Sequence, residues 1–314
     1  MTENKSVTLR HPVYTIDKQL LLPADTELSE KTIDLLLSSN RGDFYPSAPL
    51  LHHRSVKDDL CRFLNSPPYN VIFSDEKQIE NLLYVAERAH PLCPILDSLD
   101  YFHRHDFYTY RHILMVFSLS TLLAKDLVSD FHGWVREAVA GITHDLGKVC
   151  VPLNILKKRV PLTRTERSIM EHHAAAGYVL LCYYSRDNQG LALTTARDHH
   201  ERRDGSGYPR SILLNDPLVE IIAVSDIYDA LISSRAYRPV SYDNRTALEE
   251  ITSMMEQGKI GWEVVRALIA HNRKNKPHYS DVSVSFEKRG VPPSGNVYGI
   301  TEEENHPVIE KSKK

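Results

Sequence analysis

Between residues 112 and 274 the chain passes through seven segments whose apolar residues recur at the spacing of one helix face: HILMVFSLSTLLAKDLV, GWVREAVAGITHDLG, RTERSIMEHHAAAGYVLLCYYS, LALTTARDHHE, LVEIIAVSDIYDALIS, RTALEEITSMMEQG and GWEVVRALIAHNRK. So many helical segments in succession, joined by short polar connections, restrict this stretch to a helical bundle. No repeat period relates them. None is an unbroken apolar run of the ~20 residues needed to span a membrane.

The first hundred residues read differently. Residues 11–40 predict a short extended pair and then a helix, with Pro23-Ala24-Asp25 as the turn and Ser29 capping a helix that carries Ile33, Leu35 and Leu36. VKDDLCRFLNS predicts a helix, NVIFS a strand, and EKQIENLLYVAERAH another helix. The expected organisation is a small N-terminal α/β accessory or regulatory module over 1–95, an all-α region over 96–273, and a polar extension over 274–314, so the fold is mostly α. No strand here ends in the acidic cluster that a phospho-acceptor receiver domain requires.

Composition excludes several classes. The net charge of −3 gives no basic field for general nucleic-acid binding. The start MTENKSVTLRH is too polar for a signal peptide, which predicts a cytoplasmic protein without a membrane span. Four widely spaced cysteines, with no C-x-x-C pair, predict buried thiols rather than a disulfide scaffold or zinc ribbon.

Histidine is the informative count: nine of 16 fall between His103 and His200. His112 is expected to open one helix, His144-Asp145 to end another, His172-His173 to lie within a third, His199-His200 to close a fourth, and Asp226 to lie in a fifth. Singly, each is an ordinary residue of a solvated helix end or a satisfied core. Jointly they offer imidazole nitrogens and carboxylate oxygens without thiolates, a set suited to iron, manganese, nickel or zinc. Six or seven ligands exceed one tetrahedral ion and suit a pair, a recurring device for attacking phosphate esters.

His144-Asp145-Leu146-Gly147-Lys148, the following VCVPLNIL, and HHERRDGSGYP (199–209) closely resemble HD-GYP proteins, a branch of the HD phosphohydrolases; AVSDIYDALISSRAYR (223–238) resembles that family's next block. The resemblance covers roughly residues 103–273. It implies an HD-type all-α bundle with two divalent transition metals, iron first among the candidates, and hydrolysis of cyclic di-GMP to pGpG or GMP. By the same resemblance the metal ligands are His112, His144, Asp145, His173, His199, His200 and Asp226. Asp145 would bridge the two ions. Family spacing selects His173 over His172. Lys148 would face a phosphate oxygen or the leaving group, and Asp106 matches a position that holds that lysine. Arg235, Arg238 and Tyr208 match substrate contacts.

The expected mechanism has the two ions activating a bridging hydroxide that attacks phosphorus in line, with Lys148 and Arg235 offsetting charge. Departures from the family pattern bear on this. Tyr108 stands where some members carry a further carboxylate ligand, so two metals rather than three are expected. Arg210-Ser211 follows Pro209 without the usual glycine, altering the pocket wall. The alternative reading is a catalytically weak module that binds cyclic di-GMP or a GGDEF-domain signalling partner.

Overall fold

The computed structural model describes residues 6–40, 42, 44–233, 240–285 and 287–293. A two-stranded antiparallel hairpin, β1 (Val13–Tyr14) and β2 (Leu20–Leu22), is followed by helices α1 (Glu30–Ser39), α2 (Val56–Leu64) and α3 (Glu76–Arg88). The bundle then runs through α4 (Cys93–His105), α5 (Phe107–Leu127), α6 (Phe131–Thr143), α7 (Leu153–Leu156), α8 (Arg164–Glu171), α9 (His173–Ser185), α10 (Leu191–Asp198), α11 (Pro217–Ile232), α12 (Asn244–Glu256) and α13 (Trp262–Asn272). The fold is mostly α, a helical bundle with a small hairpin-and-helix start.

Local chemistry sets the helix starts. Ser29, Asp75, Asp130, Asp216 and Asp243 each accept a first-turn backbone N–H at an N-cap, and Pro217 occupies the first position of α11. Thr163 and Glu166 form a complete capping box on α8. The helices α5, α9 and α11 are buried on nearly every side, so their apolar residues run around the axis rather than along one stripe. They form the centre on which the others pack. One apolar core runs without a break from Val7, Leu9 and Leu60 through Phe117 and Val179 to Leu268.

Five local expectations are corrected. NVIFS is not a strand: Tyr69–Val71 form a 3₁₀ turn, with Tyr69, Ile72 and Phe73 buried. Short apolar runs do not distinguish strand from helix. The strands are joined by residues 15–19, where Thr15 N–H reaches the Gln19 carbonyl at 2.9 Å; the turn at Pro23–Asp25 instead returns the chain to Leu9. The helix expected over 164–185 breaks at His172 into α8 and α9. His112 lies in the second turn of α5 rather than at its start. In α1, Ile33 and Leu36 are buried but Leu35 faces outward.

Candidate metal centre

Five helices bring seven side chains to one buried place. His112 comes from α5, His144 ends α6 and Asp145 follows it, His173 opens α9, His199 and His200 follow α10, and Asp226 lies in α11. Their ligand atoms form three overlapping groups, each within 4.8 Å: His112, His144 and Asp226; His144, Asp145 and His199; and His173, His199 and His200. His172 belongs to none of these. Its ring meets His11 edge-on at 5.5 Å, and burial pushes its imidazole down to about 4.

The outer nitrogen of four of the five rings is already committed. Nδ1 of His144, His173 and His199 points at the carbonyls of Gly141 (2.8 Å), Met170 (2.6 Å) and Thr195 (2.9 Å), and Nδ1 of His112 at Asp229 Oδ2 (2.5 Å). Each Nδ1 is therefore the protonated donor in the neutral ring, and each Nε2 lone pair faces the centre. Nε2 of His112 and of His144 are buried without a hydrogen-bond partner. His112 Nε2 lies 3.1 Å from Asp226 Oδ1 and 3.3 Å from Asp145 Oδ2, yet in the neutral tautomer these are lone pairs facing lone pairs. Likewise His173 Nε2 lies 3.4 Å from His199 Nε2 and 3.1 Å from His200 Nε2. Convergent, unprotonated donors of this kind fit divalent transition-metal ions.

Asp145 stands between the groups. Its Oδ2 is 3.3 Å from His112 Nε2 and 3.4 Å from His144 Nε2; its Oδ1 is 3.4 Å from His173 Nε2 and 4.0 Å from His199 Nε2. One oxygen faces each side. Burial alone would raise this carboxyl, but Lys148 and the surrounding imidazoles hold it well below the usual range. Burial pushes His173 down to about 4, His199 to about 3, and His200 well below its ordinary value. His144 goes the other way, because Asp145 outweighs its burial.

Glycine makes the approach possible. A Cβ on Gly147 would fall 1.9 Å from the His173 carbonyl oxygen and 2.4 Å from Gly177 N, so only glycine lets the turn after Asp145 lie against the start of α9.

A family model described as HD domain matches residues 108–264, half of the chain. A cyclic di-GMP phosphodiesterase of Pseudomonas aeruginosa is 36% identical over 168 residues, covering 52% of this chain and 39% of that protein. The chain belongs to the HD-GYP branch of the HD-domain family. A cyclic di-GMP phosphodiesterase of Thermotoga maritima is 32% identical over 204 residues, 63% of this chain and 54% of that one. The 3′3′-cGAMP-specific phosphodiesterase 1 of Vibrio cholerae is 29% identical over 185 residues, 57% of this chain and 40% of that one. The HD-GYP chain thus spans 39% and 54% of the first two relatives.

Around the HD centre, the remaining expected residues fall in different places. Lys148 pairs with Asp145 Oδ2. Asp106 does not hold that lysine: it sits buried at the start of α5 and accepts the Thr109 hydroxyl at 2.6 Å. The sequence match placed Asp106 near Lys148, but the ammonium goes to the nearer carboxylate, three residues before it. Tyr208 stacks on His200 with ring centres 4.5 Å apart. Tyr108 stacks on His112 at 5.9 Å. Arg235 and Arg238 lie outside the described residues.

The GYP loop is tied down by residues that sequence reasoning missed. Buried Glu201 accepts the backbone N–H groups of Arg210 (2.6 Å) and Ile212 (3.1 Å), while Asp198 holds Arg197 and Arg210 together. The missing side chain of Gly207 serves its own chain, not a ligand: a Cβ there would lie 2.3 Å from the His200 carbonyl oxygen and 2.4 Å from Glu201 Cα. Asp229, behind His112, was also missed. Its spacing of three from Asp226 placed both on one face of α11, a legible signal.

Proposed function

We propose that this chain is a metal-dependent phosphodiesterase that hydrolyses cyclic di-GMP to pGpG or GMP. The observation that carries the reading is the position of Asp145, one oxygen toward each of two groups of inward-facing imidazoles. His112, His144 and Asp226 would hold one divalent ion, His173, His199 and His200 the other, and Asp145 would serve both. Iron is the first candidate, with manganese, nickel or zinc as alternatives. When bound, such a pair supplies an activated water and neutralises charge on a phosphate ester.

The protein's own groups do the rest. The four Nδ1 contacts aim the imidazoles, and burial holds His173 and His199 low, so no proton must be expelled from those two at neutral pH. Lys148, 15% exposed at the side chain, offers an ammonium at the edge of the centre for a non-bridging phosphate oxygen or the departing 3′ oxygen. Tyr208 covers His200 and presents a ring on which a guanine can stack. Arg235 and Arg238 would grip phosphate through planar guanidinium forks.

The test is turnover. Protein reconstituted anaerobically with iron or manganese should convert cyclic di-GMP to linear product, followed by chromatography, with 3′3′-cGAMP as a parallel substrate because a Vibrio cholerae relative bears that name. Bound but unhydrolysed cyclic di-GMP would favour the binding-module reading, with a GGDEF-domain protein as the partner to try. Absence of both turnover and binding would remove the substrate assignment.

A further inference from the structure

Behind His112 the hydrogen bonding leaves the bundle and enters the N-terminal segment. The 3₁₀ turn at Tyr69–Val71 sends the Tyr69 ring wholly into the core, where its hydroxyl donates to Asp229 Oδ1. The other oxygen of Asp229 holds His112 Nδ1 at 2.5 Å. Ser233 Oγ joins Asp229 Oδ1 at 3.0 Å, and Arg111, over the Tyr69 ring at 5.3 Å, donates to Ser233 Oγ at 2.9 Å. The turn is fastened from two further sides. Lys276 Nζ donates to the carbonyls of Val71 (2.6 Å) and Ile72 (2.8 Å), and Asn244 Nδ2 to that of Pro68 (3.3 Å).

A wholly buried tyrosine needs an acceptor for its hydroxyl, and many acceptors would satisfy that need. This one is the carboxylate that sets the tautomer and angle of a candidate metal ligand. Groups in that position tune a metal nearly as strongly as the ligands themselves.

We propose that Tyr69 is a positioning residue for the metal centre. Through Asp229 it aims the His112 Nε2 lone pair, so the ion at His112, His144 and Asp226 depends on the N-terminal segment. The ion at His173, His199 and His200 does not. This rests on the two-ion reading above.

The experiment compares Tyr69→Phe with Tyr110→Phe in the full chain. Tyr110 also ties the N-terminal segment to α5, donating to Asp59 Oδ2 at 2.8 Å, but Asp59 pairs with Ser55 and Arg62 rather than with a candidate ligand. Each protein is titrated anaerobically with Mn(II) or Co(II) alone, reading affinity by calorimetry and the Co(II) absorption spectrum. Tyr69→Phe should weaken one ion by about 10-fold and alter its spectrum, leaving the other as in wild type. Tyr110→Phe should lower the melting temperature and change neither ion. Wild-type affinities in Tyr69→Phe, or equal losses in both variants, overturn the proposal. Should Tyr69→Phe fail to fold, Asp229→Asn probes the same link and must weaken the same ion; unchanged affinity there also overturns it. A wild-type chain that takes up no metal overturns the centre itself and this proposal with it.

Discussion

The two sides of the centre are built from the same residue types but backed differently. On one side His112 and His144 face two carboxylates, Asp226 and Asp145, and His112 is held from behind by a third, Asp229. On the other, His173 and His199 are backed by main-chain carbonyls and face Asp145 Oδ1, while His200 Nδ1 lies 3.9 Å from Asp226 Oδ2. His200 is also the most open of the seven, 18% exposed at the side chain beneath Tyr208. The carboxylate side carries more negative charge and suits a harder ion; the imidazole side is neutral and nearer solvent. The comparison teaches that two ions held here would be distinguishable, and four measurements can break or sharpen it.

The largest effect should come from Asp145→Ala. If one carboxylate serves both sides, elemental analysis should fall from about two ions per chain to none. Retention of one ion would mean that the two sides are independent.

Proton competition should separate them next. Burial pulls His144 down, but Asp145 outweighs it and the imidazole rises above its ordinary value. His173 at about 4 and His199 at about 3 are already proton-free. Metal uptake on the carboxylate side should therefore compete with protons more strongly as pH falls, while the imidazole side stays flat near neutral pH. Calorimetry in buffers of different ionisation enthalpy counts those protons; equal slopes on both sides would erase the distinction. The metal-free fold should follow a related rule. His173 and His199 stay neutral when folded and protonate when unfolded, so their contribution is whole above about pH 6.5 and is lost as pH falls toward their folded values.

Lys148→Ala should leave both ions in place. It should reduce cyclic di-GMP binding or turnover at least about 10-fold, the loss of one charge-assisted phosphate contact worth roughly 1.5–3 kcal/mol. In the metal-free chain it also strips Asp145 of its ammonium partner, so melting should drop more without metal than with it. Loss of metal instead would give Lys148 a structural task.

Tyr208→Ala should be smallest, a few-fold loss in ligand handling from about 0.5–1.5 kcal/mol of stacking, with metal content unchanged. Tyr208→Phe should retain most of the wild-type behaviour, because the ring is what meets His200. Metal loss in the alanine variant would make the loop part of the imidazole side.

Much of this was legible before any coordinates. Helical periodicity marked the bundle because burying one stripe per helix leaves a pattern in every segment, and it failed at NVIFS, where five residues hold too few periods to decide. His144, Asp145, His199 and His200 announced themselves as adjacent polar pairs at helix ends. Glu201 did not, although it directly follows His200: a carboxylate that accepts two backbone N–H groups looks like any surface glutamate until the loop folds over it. Asp106 misled for the converse reason, since a matching position carries no information about which side chain its neighbour reaches.

What the sequence determined by itself is the helical class, the family and the roster of residues able to meet, because those follow from local spacing and residue chemistry. What the tertiary structure alone decided is orientation and partnership. It decided that Asp145 divides its oxygens between two groups. It also decided that Tyr69, 160 residues from Asp229 along the chain, joins the support of His112 through that carboxylate. A hydrogen bond depends on a few tenths of an ångström and an angle. Those are fixed only when the whole core packs, and no spacing along one strand of sequence encodes them.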